Sequence, residues 1–254
     1  MRAPVDTIAA PLFPTKLPWL NTPGGAPVSI IQRDRPLLVE FWDFCRPHSM
    51  RTLPYMKAWH ERYAEDGLRI VGVHSPGFDI SREEDAVRAA IARLGIDYAV
   101  LIDSELELWQ DYENEGWPAR YLFDGGARLF EYHFGEGGYE ETERAIQELL
   151  GVEREPLAPV RPEDAAGAAL APPTQEQPGA YSGAYEAGGV WAVLDGSGSV
   201  RASDPVNGAS GELEIAAPGA YALLEHEQST AGRLVLELEG DLRCFATCFT
   251  PGLA

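Results

Sequence analysis

Residues 36–54, PLLVEFWDFCRPHSMRTLP, constrain this chain more than any other stretch. An apolar run, Leu37, Leu38 and Val39, carries one acid, Glu40, then Phe41-Trp42, a short turn, and a helix that contains Pro54. A carboxylate in the middle of an apolar strand is costly unless it is paired or neutral. The pattern predicts a buried strand, a buried Glu40 with a raised pKa, and a helix bent at Pro54. The turn between them holds one thiol, Cys45, next to Arg46 and close to His48. A cysteine becomes a nucleophile when helix N–H groups or a nearby cation stabilise its thiolate. Cys45 is therefore the candidate reactive thiol, with Arg46 and His48 as the cations that would lower its pKa. A half-buried thiol in a turn is the other reading, and the residues leave both open.

Beyond this stretch the chain alternates strand and helix up to residue 151. Strands are expected at 37–42, 69–74, 98–102, 120–124 and 128–134, and helices at 48–65, 81–94, 105–113 and 138–150. Ser81 with Glu83-Glu84 is good helix-starting chemistry, and Gly95 and Gly151 are helix stops. Asp124-Gly125-Gly126 signals a hairpin. Residues 1–35 are rich in proline and glycine, with a turn expected at Thr22-Pro23-Gly24-Gly25. Six prolines between 152 and 180 mark a linker with room for a short helix near 162–170. From 181 to 254 the hydrophobic period becomes two. Six short strands, at 189–194, 198–202, 211–216, 219–225, 232–239 and 242–250, predict a small all-β, sandwich-like domain. Trp191, Tyr221 and Tyr181 read there as core aromatics rather than sugar-stacking residues.

The charge balance is strongly acidic, 40 acids against 20 bases and a net charge of −20. That argues against nucleic acid or an anionic membrane as partner. Prolines at 4, 11, 14 and 18 break every candidate signal or spanning segment, so cytoplasmic residence is the expectation. Cys244 and Cys248 would share a strand face about 13 Å apart, too far for a disulfide. The glycine-rich segment after His133, Phe134-Gly135-Glu136-Gly137-Gly138, lacks a phosphate-loop lysine and reads as backbone clearance. His48, His74 and Cys45 have no spacing specific to a metal, and no cofactor is expected.

The segments Leu17-Pro18-Trp19-Leu20-Asn21, Phe41-Trp42-Asp43-Phe44, Arg51-Thr52-Leu53-Pro54-Tyr55, Gly72-Val73-His74-Ser75-Pro76, Trp117-Pro118 and Phe134-Gly135-Glu136-Gly137 resemble the redoxin branch of the thioredoxin superfamily. That branch holds the TlpA/ResA-like and AhpC/TSA-like proteins, and the resemblance is to a group with an added C-terminal β-rich domain, as in DipZ-type proteins. It implies an α/β thioredoxin-like domain over 1–151, with a central mixed sheet flanked by helices, a linker over 152–180 and the β domain over 181–254. An ungapped register on Trp42 and Pro54 puts Arg46 where the family has its nucleophilic cysteine and Ser49 where it has the resolving one. No Cys-x-x-Cys pair is present. A one-residue slide would give Cys45 the nucleophile's place, at the cost of an insertion before Pro54. The resemblance makes Glu40 the proton-transferring acid and Pro118 a cis-proline. It makes Trp42, Trp117 and His74 the walls that receive a protein or peptide thiol or disulfide partner. The catalytic set would be Cys45, Arg46, His48, Ser49 and Glu40, working as a single-cysteine peroxide-reducing or mixed-disulfide centre. The alternative is a non-catalytic binding or structural protein, plausibly a homodimer, that keeps the scaffold without the dithiol.

Overall fold

Strand β2 (Leu37–Trp42) is buried at all six positions, as a strand covered on both faces must be. The computed structural model describes residues 2, 7–22 and 34–254; Pro23, Gly24 and Gly25 of the expected turn lie outside them. These residues group into two units, Met1–Asp43 with His48–Ala158, and Phe44–Pro47 with Pro159–Ala254.

The first unit is built on a six-stranded mixed sheet in the order β1-β4-β3-β2-β5-β6. Its strands are β1 (Trp19–Leu20), β2, β3 (Arg69–His74), β4 (Ala99–Ile102), β5 (Ala119–Phe123) and β6 (Leu129–Phe134). Strands β2, β3 and β4 run parallel, while β5 pairs antiparallel with both β2 and β6. The helices are α1 (Pro47–Tyr63), α2 (Glu84–Leu94), α3 (Glu107–Asp111) and α4 (Tyr139–Leu150). Leu37, Val39 and Phe41 enter one core with Val73, Leu101, Tyr121 and Phe123. The alternate residues, Leu38, Glu40 and Trp42, therefore face the other side of the sheet.

Helix α1 starts with proline at its first position and contains Pro54. Helices α2 and α4 end at Gly95 and Gly151, both left-handed, as expected. Ser81 does not cap α2. That helix begins at Glu84, and Ser81 is buried in a preceding 3₁₀ turn, its hydroxyl donating to Asp43 Oδ2 at 3.0 Å. A buried carboxylate satisfied by this hydroxyl outweighs a helix cap that solvent can replace. The 124–128 hairpin turn is held by Asp124 Oδ1, which accepts from the N–H groups of Gly126 and Arg128, each at 2.8 Å.

The second unit is β-rich, but its strands are fewer and longer than the alternation predicts. Strand β9 runs Gly183–Asp204, β10 Ala209–Ile215 and β11 Gly219–Thr250. Residues 219–234 of β11 pair with the first half of β9, residues 235–243 with its second half, and 244–250 with the first half again. The expected breaks are bends: Gly196, Gly198 and Gly240 have φ of 104°, 148° and 84° and carry the strands through. The Pro-rich stretch also contains structure that alternation missed. Within it, β7 (Leu170–Ala171) pairs with β12 (Gly252–Leu253) and β8 (Gln177–Pro178) with β11. The helix expected near 162–170 is only a 3₁₀ turn over Pro162–Asp164, because Ala165 is already extended and Gly167, at φ 77°, turns the chain away.

A Cβ on Gly196 would stand 1.9 Å from the Asp241 carbonyl oxygen. Gly196→Ala should cost about 1–3 kcal/mol from the backbone conformation alone, and more from that clash. Denaturant unfolding followed by far-UV circular dichroism would check it, with no loss expected if the site were an ordinary turn.

Candidate functional site

The turn after β2 holds one thiol, Cys45, and leads directly into α1. Helix α1 is unbroken from Pro47 through Pro54. Arg46 therefore stands immediately before the helix and Ser49 in its first turn. Ser49 is buried, its hydroxyl accepting from the Asp43 N–H at 3.3 Å.

Within the second unit, Arg46 Nη1 meets Glu176 Oε2 at 3.3 Å, and the same oxygen accepts from Cys248 Sγ at 3.4 Å. The Ala220 N–H donates to the Phe44 carbonyl at 3.0 Å. Burial, and then the Glu176 carboxylate, push the Cys248 thiol far up. Cys45, Cys244 and Cys248 all stand as thiols, and Cys45 is 0 % exposed. Of the cations expected beside Cys45, Arg46 pairs with Glu176, and His48 Nδ1 stands 3.1 Å from Glu136 Oε1.

In the first unit, Glu40 lies directly across from Arg120 of β5, both wholly buried. Burial pushes the Glu40 carboxyl up to about 8, against the pull of Arg120. Among the described residues its Oε1 has no hydrogen-bond partner. The Arg120 guanidinium sits 4.9 Å over the Tyr139 ring and 5.7 Å over Trp59, and donates to the Gly137 carbonyl. His133 faces Arg120 from β6; burial, and then Arg120, lower its pKa.

His74 and Trp42 do not wall a cleft. Both are buried, stacked edge-on with ring centres 5.1 Å apart, and His74 Nε2 stands 3.4 Å from Asp43 Oδ1. A strand covered on both faces has no surface to give to a ligand. Asp43 Oδ2 also accepts from the Gly77 N–H at 2.8 Å, so this carboxylate stitches the turn to the segment after β3. Trp117 is half-buried, tilted against Trp109, and donates to the Ser75 carbonyl at 2.8 Å. The Trp117–Pro118 peptide is cis.

Sequence reasoning missed Asp43, Arg120, Glu136 and Glu176. An arginine in the otherwise apolar strand Ala119–Phe123 was a usable signal for Arg120. Nothing local marks the others. Glu136 Oε2 takes Arg51 Nε at 2.6 Å while Oε1 faces His48. Burial alone would raise the Glu136 pKa, but His48 and Arg51 outweigh it and hold it near 2.

The two buried acids act on stability with opposite sign. Folded Glu40 keeps its proton up to about pH 8 while the unfolded carboxyl releases it near 4.5, so its contribution is lost as pH rises between those values. Glu136 contributes fully above 4.5, and that contribution is lost as pH falls toward 2. Glu40→Gln should flatten the alkaline side, removing up to about 1.4 kcal/mol per pH unit. Glu136→Gln should cost about 2–3 kcal/mol at neutral pH and flatten the acid side. Urea unfolding from pH 3 to 9 measures both; an unchanged profile in Glu40→Gln would refute the buried-acid assignment.

No known family profile matches the chain. It is 33 % identical to Protein DipZ of Mycobacterium tuberculosis over 197 residues, which cover 73 % of this chain and 28 % of that protein. The chain thus spans little more than a quarter of that relative's length. It is 26 % identical over 132 residues to the thiol-disulfide oxidoreductase YkuV of Bacillus subtilis, covering 52 % of this chain and 87 % of YkuV. A solved thioredoxin-like superfamily protein aligns over 59 % of this chain and all of its own, at 19 % identity and a TM-score of 0.52, which shows the fold. With the sheet order, the β2–turn–α1 arrangement and these relatives together, the chain belongs to the thioredoxin-like redoxin family of thiol-disulfide oxidoreductase relatives.

Proposed function

We propose that this chain uses the thiol-disulfide oxidoreductase scaffold for binding or structure and does not itself exchange thiols and disulfides. The observation that carries this reading is the complete burial of Cys45, the one thiol in the active-site turn. Thiolate attack needs an accessible sulfur in an electropositive setting. Arg46 and His48, which would supply that setting, are paired with carboxylates. The positions matched to the family's two thiols hold Arg46, held by Glu176, and Ser49, buried and bonded to the Asp43 N–H. Glu40 retains the family's buried acid, but with no dithiol in the sequence it has no such proton to move. The half-buried Trp117 beside Pro118 is the surface on which a protein or peptide partner would lie, in keeping with thiol-disulfide oxidoreductase relatives that act on other chains.

The single-thiol alternative makes the opposite prediction, and one experiment separates the two. Native, reduced protein is treated with iodoacetamide across pH 6–10, and modification is resolved peptide by peptide. Cys45 should stay unmodified until the chain is unfolded, and the protein should not speed the reduction of insulin by dithiothreitol. Fast native modification of Cys45 with an apparent pKa below about 7 would overturn the proposal and restore the redox centre.

A further inference from the structure

On the face of the sheet opposite Glu40 and Arg120 lies a cavity of about 570 Å³ with an aromatic wall and an acidic rim. Tyr121 follows Arg120 on β5 and so points to this other side. Its ring centre is 5.2 Å from that of Tyr112 and 5.8 Å from that of Phe134; Phe134 is 5.4 Å from Tyr132. The four rings thus form one connected wall. Asp111 and Glu113, which also line the cavity, are exposed, and among the described residues neither is in an ion pair. Among the described residues the lining contains no lysine, arginine or histidine.

Three features single the cavity out from incidental surface. Phe134 is 54 % exposed, an unusual loss for a large apolar ring on a paired strand. Among the described residues the buried Tyr112 hydroxyl has no hydrogen-bond partner, a state that ordinarily costs free energy. Glu113 is held at φ 50°, a left-handed conformation that is uncommon outside glycine and asparagine, and it places a carboxylate next to the Tyr112 ring in sequence.

Aromatic faces carry negative quadrupole potential and attract weakly hydrated cations, which is how quaternary ammonium groups are recognised. A carboxylate rim adds charge complementarity without the oxygen cage that a hard metal ion demands. An anion would meet only repulsion here. We propose that this cavity binds a small organic cation, a quaternary or alkylated ammonium compound, with the rings packed around the methyl groups and Asp111 and Glu113 facing the charge. The site is independent of the active-site turn and of any redox role.

The test uses the full chain at low ionic strength, with choline as probe and 3,3-dimethylbutan-1-ol, its uncharged carbon isostere, as control, each titrated by calorimetry. Choline should bind at least about tenfold more tightly than the isostere. The Asp111→Asn/Glu113→Gln variant should erase most of that difference while leaving the isostere's affinity unchanged. Phe134→Ala, at an exposed ring, should weaken both, with near-UV circular dichroism confirming that each variant stays folded. Equal binding of choline and isostere, choline binding that ignores loss of the two carboxylates, or no choline binding at millimolar concentration would each overturn the proposal.

Discussion

The first unit is organised around a carboxyl and a guanidinium placed opposite one another in the middle of its sheet. Glu40 and Arg120 occupy neighbouring central strands, and water reaches neither. An isolated buried charge is far too costly to keep, so everything over this pair has to supply polar or π contacts. Tyr139 of α4 and Trp59 of α1 lay their rings near the guanidinium, and Gly137 gives it a carbonyl. Glu143 of α4 in turn takes the Trp59 indole N–H at 3.2 Å and the Tyr63 hydroxyl at 2.6 Å. The helices are thus fastened to the sheet by polar and π contacts as well as by apolar packing.

The same requirement explains how the active-site turn keeps its shape without a dithiol. In place of a covalent or thiol-based anchor, Asp43 accepts hydrogen bonds from two elements beyond β3, and Glu136 clamps Arg51 and His48 at the start of α1. Charged groups with well-matched partners hold the geometry that the family uses for chemistry. The frame is specified by many contacts, whereas any chemistry carried on it rests on a few side chains.

The strands of the first unit were legible because their apolar runs are short and separated by helices of regular period. Gly95, Gly151 and Asp124 marked their elements by local backbone chemistry, which acts within a few residues and can be read there. Ser81, Glu136 and Glu176 were illegible because their partners are 38, 85 and 130 residues distant. In the β-rich unit, Gly196, Gly198 and Gly240 resembled turn residues. Only the cross-strand pairing of β9 with β11 distinguishes a bend within a strand from the end of one.

Strand β11 has a consequence for the order in which the protein can be made. A chain emerging from the ribosome completes every strand of the first unit by Phe134 and its last helix by Leu150. Strand β9 is then synthesised in full, yet its partners along 244–250 are not available until Thr250 has been added. The Ala220 N–H, which donates to the Phe44 carbonyl, is likewise added late. Domains generally fold as units during synthesis, so the nascent protein passes through an interval in which a thioredoxin-like fold already exists while strand β9 still awaits the partners that complete its sheet.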